Sequence, residues 1–388
     1  MPIKNRLAET HAEITSWRHH LHAYPELGFD VHETAAFVTE RLRGMGINDI
    51  TNGIGQTGVV AVIKGCKDTK GRVVGLRADM DALPILEASG VDYASKVPGK
   101  MHACGHDGHT SMLLGAAQYL SENRNFDGTV VLIFQPAEEG GGGGREMVND
   151  GMLDRWNIQE VYGLHNTPGL PVGEFAIRSG SIMASADEFE ITVTGKGGHA
   201  AAPHDSIDPN VTAAHIILAL QSIASRNVDP LEAAVISVCA LHSDIDTHNI
   251  IPQMTRMTGT VRALKDSIRS QVEARIKKIV TSTAEAYDCK AQVEYRLGYP
   301  VTINHDAQTK YAAQAARTVA GNVDIDMPPI MAAEDFSFML NKRPGAYIML
   351  GNGDGALLHH PEYRFNDDAI PAGCSWYIEI VEQRMPMQ

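Results

Sequence analysis

Residues 129–139 read TVVLIFQPAEE, an apolar run that ends in two adjacent carboxylates. An apolar run of this length is typical of a buried strand. Outward from it in both directions, similar runs alternate with helical patterns, which predicts an α/β domain with a mainly parallel sheet. The neighbouring segments are VVAVIKG (59–65), RVVGLRAD (72–79), the helical TSMLLGAAQYLSEN (110–123) and VYGL (161–164).

From about residue 184 the pattern changes to strand, helix, two strands, helix and strand. This βαββαβ order is that of a self-contained ferredoxin-like module. A helix (306–321) and an apolar strand (345–352) then resume the earlier pattern, so the module is an insertion. The sequence therefore predicts one discontinuous domain in residues 1–183 and 299–388, and an inserted domain in residues 184–298.

The composition limits the class of protein. With 388 residues, 44% of them apolar and 21% charged, the chain has ordinary globular composition and is long enough for two domains. A formal net charge of -14 argues against nucleic acid, which needs a basic face. We see no apolar run near the ~20 residues of a membrane helix and no signal-peptide pattern at the start. Because the five cysteines are scattered, we expect no disulfide framework and a reducing cytoplasm.

Polar side chains follow three of the apolar runs at the point where each run ends. In open α/β sheets, ligands bind at the carboxyl ends of the strands. Three such coincidences in one domain therefore predict a single shared site. The residues are Asp79 and Asp81 after VVGLR, Glu138 and Glu139 after TVVLIFQPA, and His165 after VYGL.

The stretch KMHACGHDGHT (100–110) places Cys104 and His106 two positions apart. If the segment is extended, both side chains lie on one face, and thiolate and imidazole are good ligands for zinc-like ions. The sequence has no paired C-x-x-C elements of a structural zinc site, which favours a catalytic site with an open position. We expect the following helix to begin near Thr110. Two alternatives stay open: Cys104 as a buried apolar residue and Asp107 as a helix cap.

The adjacent carboxylates Glu138 and Glu139 make most sense beside a metal ion. They repel each other unless a cation or a proton relieves the repulsion. If one binds the metal, the other can hold the attacking water and act as general base. A solvated loop pair is the alternative, and His165 could equally be a core histidine.

Nine motifs occur in one order over nearly the whole chain: WRHHLHAYPELGF, RADMDALP, MHACGHDGHT, QPAEEGGGG, YGLHN, GKGGHAAAPH, HNIIP, GTVRAL and LHHP. In this order the chain resembles the M20 metallopeptidase family, in particular its branch of N-acyl-amino-acid amidohydrolases, which includes hippurate hydrolases and plant auxin-conjugate hydrolases. The resemblance implies a two-metal hydrolase with a catalytic domain and an inserted lid or dimerisation domain. Because the inserted βαββαβ module exposes edge strands that can pair across a dimer, we expect a homodimer or homotetramer.

The resemblance also implies a role for each residue that matches a family motif. Asp79 and Asp81 replace the wider family's histidine-x-aspartate ligand motif, so we expect Asp81 to orient a ligating histidine. His199 is expected to help polarise the scissile carbonyl, and Asn249 and Arg262 to bind the substrate's backbone or carboxylate. Glu138 is the expected general base. The implied metal ligands are Cys104, His106, Glu139, His165 and His360, with the adjacent His359 in a structural role.

We therefore expect a cytoplasmic enzyme that uses two divalent ions (Mn, Zn, Co or Ni) to hydrolyse the amide bond of small-molecule N-acyl amino acids, with no nucleic-acid or membrane partner. One alternative is an M20-type dipeptidase or carboxypeptidase, against which the cysteine of HACGHD weighs. Another is a non-catalytic binding protein on the same fold, against which the presence of Glu138 weighs.

Overall fold

The computed structural model describes residues 5–387, which form two compact units. The inserted domain predicted at 184–298 lies within the second unit. That unit also takes in the segment 329–334, to which no sequence pattern points. The first unit comprises residues 5–182, 303–328 and 335–387, and the second comprises residues 183–302 and 329–334.

Helices and strands alternate along both units. In residues 5–387 the helices are α1 (Asn5–Ala23), α2 (His32–Gly44), α3 (His106–Asn123), α4 (Gly143–Asn149), α5 (Met152–Arg155), α6 (Pro209–Ser222), α7 (Asp266–Ala286), α8 (Asp306–Ala320), α9 (Ser337–Leu340) and α10 (Ile370–Arg384). Short 3₁₀ turns lie at Pro203–Asp205 and Asp367–Ala369, and a π-helical turn lies at Ile223–Asn227. None of the helices described combines the length and the apolar character that a membrane crossing needs.

The strands range from two to ten residues in length. In residues 5–387 they are β1 (Ile50–Ile54), β2 (Gly58–Lys64), β3 (Val73–Asp79), β4 (Thr129–Gln135), β5 (Glu160–Pro168), β6 (Phe175–Ala176), β7 (Gly180–Met183), β8 (Ser185–Thr194), β9 (Gly198–His199), β10 (Ala234–Ser243), β11 (Ile250–Ile251), β12 (Met254–Ala263), β13 (Lys290–Tyr299), β14 (Thr302–Asn304), β15 (Val323–Asp324) and β16 (Gly345–Gly353).

The first unit is built on an eight-stranded sheet with the order β1-β2-β4-β3-β5-β16-β6-β15. Its central strands β4, β3, β5 and β16 run parallel, while β1 and β2 are antiparallel to their neighbours. Parallel strands end at the same edge of a sheet, so the segments that follow β3 and β4 meet there beside β5. The sheet topology thus assembles the site.

Burial on both faces explains why the central strands can be recognised from sequence. Every residue of β4 from Val130 to Gln135 is buried, and β3 is buried along its whole length. The core between the sheet and its helices includes Ile14, Leu114 and Trp376. A strand covered on both faces is a continuous apolar run, which is the pattern that residues 129–135 show.

The second unit has the ferredoxin-like order βαββαβ. Its antiparallel sheet has the order β10-β12-β8-β13, and residues of α6 and α7 share one core with it. On β8, Phe189, Ile191 and Val193 are buried while the residues between them are less so, which gives the alternation of a half-covered strand. The predicted fold class, a mainly parallel α/β domain with a ferredoxin-like second domain, is confirmed.

Candidate metal centre

Ligand-type side chains from several segments of the first unit converge at the carboxyl ends of the central strands. In three overlapping groups, the potential ligand atoms all lie within 4.8 Å of one another. Sulfur, nitrogen and oxygen donors therefore share one largely buried space. The groups are Cys104, His106 and His165; Cys104, Glu139 and His359; and His106, Glu138 and Glu139.

The backbone turn at Gly105 brings Cys104 and His106 to the same space. The expectation of an extended segment here is wrong, because α3 begins at His106, earlier than the predicted Thr110. Gly105 has φ +88°, a left-handed conformation that glycine adopts without strain. A Cβ at this position would also overlap Oδ1 of Asn166. The turn places the thiol just before the N-terminus of a helix, where a thiolate is favoured.

Hydrogen bonds leave the Nε2 atoms of both candidate histidine ligands facing the cluster. Nδ1 of His165 donates to the backbone oxygen of Asn166 (2.6 Å), and Nε2 of His165 lies 3.4 Å from Sγ of Cys104. Nδ1 of His106 donates to the backbone oxygen of Asp81 (2.8 Å). Nε2 of His106 is buried and has no hydrogen-bond partner. An unpartnered imidazole nitrogen among thiol and carboxylate donors fits a metal ligand.

Asp81 positions the acidic doublet through the backbone. Its carboxylate accepts hydrogen bonds from the backbone N–H of Glu138 (2.9 Å) and of Glu139 (3.0 Å). The preceding Ala137 has φ +51°, an uncommon conformation for a residue with a side chain. Toward His106, Asp81 offers its backbone oxygen at 2.8 Å, while its carboxylate lies 3.5 Å from the same Nδ1.

The structure brings His359 to the cluster, and not His360, which was expected as the ligand. Nε2 of His359 lies 3.2 Å from Oε1 of Glu139. Nδ1 of His360 instead accepts a hydrogen bond from the backbone N–H of Glu362 (3.1 Å). The backbone explains the difference, because His359 has φ +65° and its N–H donates to Ala103, the residue before Cys104. His359 therefore replaces His360 among the ligand candidates.

Asp79 and His109 satisfy each other and do not face the donor space as free ligands. Nδ1 of His109 donates to Oδ1 of Asp79 (2.6 Å), and Nε2 of His109 lies 2.7 Å from Oδ1 of Asn166. The other oxygen of Asp79 accepts from the buried guanidinium of Arg77 (2.7 Å). Asp79, His106 and His109 lie close enough together to form a further ligand group. The ring nitrogens of His109 and the carboxylate oxygens of Asp79 are, however, already engaged by other residues.

The electrostatics of the cluster match the needs of a divalent cation. Burial raises the pKa of the Cys104 thiol well above its ordinary value, and the charges of Glu139 and Glu138 add to the effect. For His106, burial lowers the pKa, but the charge of Asp79 and the contact with Asp81 outweigh it and raise it to about 10. A bound cation would replace the lost solvation and hold the thiolate form. The residues present therefore fit a metal ion.

Three expected substrate residues belong to the second unit. His199 and Asn249 line one open pocket of about 460 Å³ with Ile245 and Ile250. They are linked through the backbone, since Ala200 N–H donates to the oxygen of Asn249 (3.1 Å). Arg262 lies in β12, where its guanidinium donates to the hydroxyl of Thr260 and to the oxygen of Val261. Unlike His199 and Asn249, Arg262 does not line the pocket of about 460 Å³.

Sequence reasoning missed several residues that organise the cluster. Asn166, Tyr363 and Arg77 are fully buried and hydrogen-bonded to the site, yet none was singled out. Asn166 directly follows His165, and Tyr363 follows LHHP by two residues, so proximity to a ligand motif was the available signal. The partners of Asn166 and Tyr363 lie far away along the chain, which hides the role of these two residues.

Comparison with known proteins places the chain among metallopeptidases and amide hydrolases. Hippurate hydrolase of Campylobacter jejuni is 40% identical over 382 residues, which cover 98% of this chain and 98% of that protein. Thermostable carboxypeptidase 2 of Saccharolobus solfataricus is 41% identical over 381 residues, covering 96% of this chain and 95% of that protein.

A solved structure extends the likeness to three dimensions. The crystal structure of the Bacillus subtilis protein YXEP, described as a dinuclear metal binding peptidase from family M20, has a TM-score of 0.85 and 32% sequence identity. The match covers 97% of this chain and 99% of that one. The sequence profile of peptidase family M20/M25/M40 matches residues 75–383. The resemblance inferred from the motifs is confirmed, and the chain belongs to peptidase family M20/M25/M40.

Proposed function

We propose that the protein hydrolyses the amide bond of N-acyl amino acids, releasing a carboxylic acid and a free amino acid, with two divalent metal ions as cofactor. The observation that carries the proposal is the buried, unpartnered Nε2 of His106. It lies in one cluster with Cys104 and His165 and in another with Glu138 and Glu139. Such a set offers metal ligands together with a neighbouring carboxylate, Glu138, that can act on a water molecule, as metal-assisted hydrolysis requires.

The ligands that we assign to the ions come from four segments of the first unit. A divalent ion, when bound, polarises a carbonyl and lowers the pKa of a water molecule. Thiolate and imidazole ligands suit transition-metal ions better than Mg or Ca, and we propose Mn, Zn, Co or Ni. The ligand set is Cys104, His106, Glu139, His165 and His359.

Glu138 is the proton carrier in this proposal. The backbone N–H of Glu138 donates to the carboxylate of Asp81, which fixes the position of the Glu138 backbone beside the donor cluster. As general base it takes a proton from the attacking water, and as general acid it gives that proton to the amide nitrogen of the leaving amino acid. One carboxylate therefore serves both halves of the reaction.

His199 is suited to stabilise the oxyanion. Its Nδ1 accepts a hydrogen bond from the backbone N–H of Ala201 (3.0 Å), so the neutral ring carries its proton on Nε2. That N–H is free to donate to the carbonyl oxygen as charge develops there. Asn249, in the same pocket, and Arg262 are assigned to the substrate's backbone and carboxylate, which a guanidinium can bind through both oxygens.

Assembly and compartment are also part of the proposal. The edge strands β10 and β13 of the second unit leave one side of each strand open to pairing, which favours a homodimer or homotetramer. Cys104 must remain a free thiol to bind metal, which a reducing cytoplasm ensures.

A carboxypeptidase is the second candidate, because a relative of that name matches nearly the whole chain. Both activities cut the same kind of bond, an amide whose nitrogen belongs to an amino acid with a free carboxylate. They differ on the acyl side, which is a simple acid in one case and an aminoacyl or peptidyl residue in the other. The substrate panel must therefore vary the acyl group and hold the amino acid constant.

The deciding experiment is hydrolysis by metal-free protein reloaded with Mn²⁺, Co²⁺, Ni²⁺ or Zn²⁺. N-acetylglycine and N-benzoylglycine are compared with glycylglycine and with N-benzoylglycylglycine. Turnover of the first two, with little release of glycine from glycylglycine, supports the N-acyl amino acid hydrolase. Preference for the peptides supports the carboxypeptidase, and absence of turnover with every metal would overturn both.

A further inference from the structure

A continuous chain of buried hydrogen bonds runs behind the donor cluster. Nδ1 of His109 donates to Asp79 (2.6 Å), while Nε2 of His109 accepts from the backbone N–H of Asn166 (3.1 Å) and lies 2.7 Å from Oδ1 of the same residue. Nδ2 of Asn166 then donates to the hydroxyl of Tyr363 (2.5 Å). None of these four side chains is solvent-accessible. We call this chain, Asp79–His109–Asn166–Tyr363, the relay.

Each member of the relay lies in or beside a segment that carries a residue of the metal site. Asn166 follows His165 in β5, and His109 lies one helical turn after His106 in α3. Tyr363 is tied by its backbone N–H to His360 (2.9 Å), the residue after His359. Asp79 ends β3, two residues before Asp81. The relay therefore joins three of the four ligand-bearing segments to β3, which leads to Asp81, the residue that holds the Glu138–Glu139 backbone.

The relay also shapes the turn between Cys104 and His106. The Oδ1 atom of Asn166 and the hydroxyl of Tyr363 lie against Gly105, so closely that a Cβ there would overlap the amide of Asn166. The side chains of the relay thus fill the space that the glycine leaves. Moving either group would let this turn shift, and with it the thiol and the first imidazole.

The contacts of His109 separate its role from that of a ligand. Both of its ring nitrogens are engaged, one by Asp79 and one by Asn166. Nε2 of His106, by contrast, has no hydrogen-bond partner. His109 can therefore hold its neighbours in place, but it has no free lone pair for a cation in this arrangement.

We propose that the relay sets the spacing of the metal ligands, and that Asn166 and Tyr363 are positioning residues of the metal site. The inference rests on the proposed function and deepens it. The amide of Asn166 connects the two histidine-bearing segments, α3 and the 359–363 segment, while its backbone oxygen fixes the ring of His165. Partners behind metal ligands orient them and raise affinity, so loss of the relay should weaken metal binding.

The test uses full-length, metal-free protein titrated with Co²⁺, whose visible absorption reports ligand number and geometry. Tyr363→Phe removes only the hydroxyl, and Asn166→Leu removes the amide. We expect the dissociation constant for Co²⁺ to rise about 10- to 100-fold in Asn166→Leu, with a smaller rise in Tyr363→Phe, and the absorption bands to shift in both.

Tyr162→Phe is the matched control, since Tyr162 is another buried tyrosine of the first unit whose hydroxyl donates outside the relay, to Glu160 (2.9 Å). It should keep the Co²⁺ affinity and spectrum of the unaltered protein. Equal spectra and affinities in Tyr363→Phe and the unaltered protein would overturn the relay, even where Asn166→Leu fails to fold. If the unaltered protein itself binds no Co²⁺, the metal site and the proposed function fail instead.

Discussion

Oδ1 of Asp81 accepts a hydrogen bond from the backbone N–H of Glu138 at 2.9 Å, and its Oδ2 accepts from the next N–H at 3.0 Å. Asp81 is fully buried, so both contacts are shielded from water. Charge-assisted hydrogen bonds of this kind are about twice as strong as neutral ones. Asp81 thus fixes the turn from which the acidic doublet projects.

Asp81→Asn should lower activity by loosening that turn. The amide keeps one acceptor, but its NH₂ group faces a backbone N–H, which leaves a buried donor without a partner. We expect kcat to fall about 10- to 100-fold with a smaller change in KM. Steady-state kinetics on N-benzoylglycine measure the effect, and far-ultraviolet circular dichroism checks the fold.

Asp150→Asn is the control for Asp81→Asn. Asp150 also accepts a backbone hydrogen bond, from Gly55 at 2.7 Å, in the same unit. It should leave kcat nearly unchanged. A comparable loss of kcat in the two variants would mean that any lost carboxylate–backbone contact slows the enzyme, and the specific role of Asp81 would be wrong.

The strands and the insertion could be predicted because burial leaves a local pattern. β4 is an unbroken apolar run since it is covered on both faces, and β8 alternates since one face is open. The start of α3 was misplaced by four residues, from the predicted Thr110 to His106. Helical periodicity cannot detect it, because the first turn is polar and serves the site.

Residue roles that depend on backbone direction or distant partners could not be predicted. His359 and His360 are the same residue type, and only the positive φ of His359 decides which ring meets Glu139. Asn166 acquires its role from His109 and Tyr363, which lie 57 and 197 positions away along the chain. No periodicity or spacing rule reports contacts over such separations.

Glu138→Gln tests the proton carrier. Glutamine keeps the size of the side chain but cannot take a proton from water, so we expect kcat to fall about 10²- to 10⁴-fold. Metal content, measured by elemental analysis, should remain that of the unaltered protein. Glu146→Gln, in the nearby helix α4, should leave both quantities unchanged. Loss of metal together with activity in Glu138→Gln would make Glu138 a ligand.

Loss of the ion pair between Glu160 and Arg384 at low pH should make the first unit less stable in acid. Glu160 accepts two hydrogen bonds from the guanidinium of Arg384 (2.8 and 2.6 Å). Burial raises the pKa of Glu160, but the contacts with Arg384 outweigh this and hold it below its ordinary value of 4.5. The stabilisation is therefore present above about pH 4.5 and is lost as the pH falls through the lowered pKa.

Glu160→Gln should accordingly lower Tm at pH 7, and its difference from the unaltered protein should shrink below about pH 4.5. Thermal unfolding followed by circular dichroism between pH 3 and 8 measures this. Glu294→Gln removes a carboxylate from an exposed ion pair with Arg296 and should leave Tm nearly unchanged at every pH. A difference in Tm that is constant over the whole pH range would rule out the ionic explanation.

His359→Ala and His360→Ala distinguish the two adjacent histidines. Only His359 approaches the donor cluster, at 3.2 Å from Glu139, while His360 bonds to the backbone of Glu362. His359→Ala should therefore lose about one metal ion per chain on dialysis and most of its activity, because an ion loses one of its protein ligands. His360→Ala should keep its metal and at least most of its kcat. Elemental analysis of both dialysed variants decides, and the reverse outcome would restore His360 as the ligand.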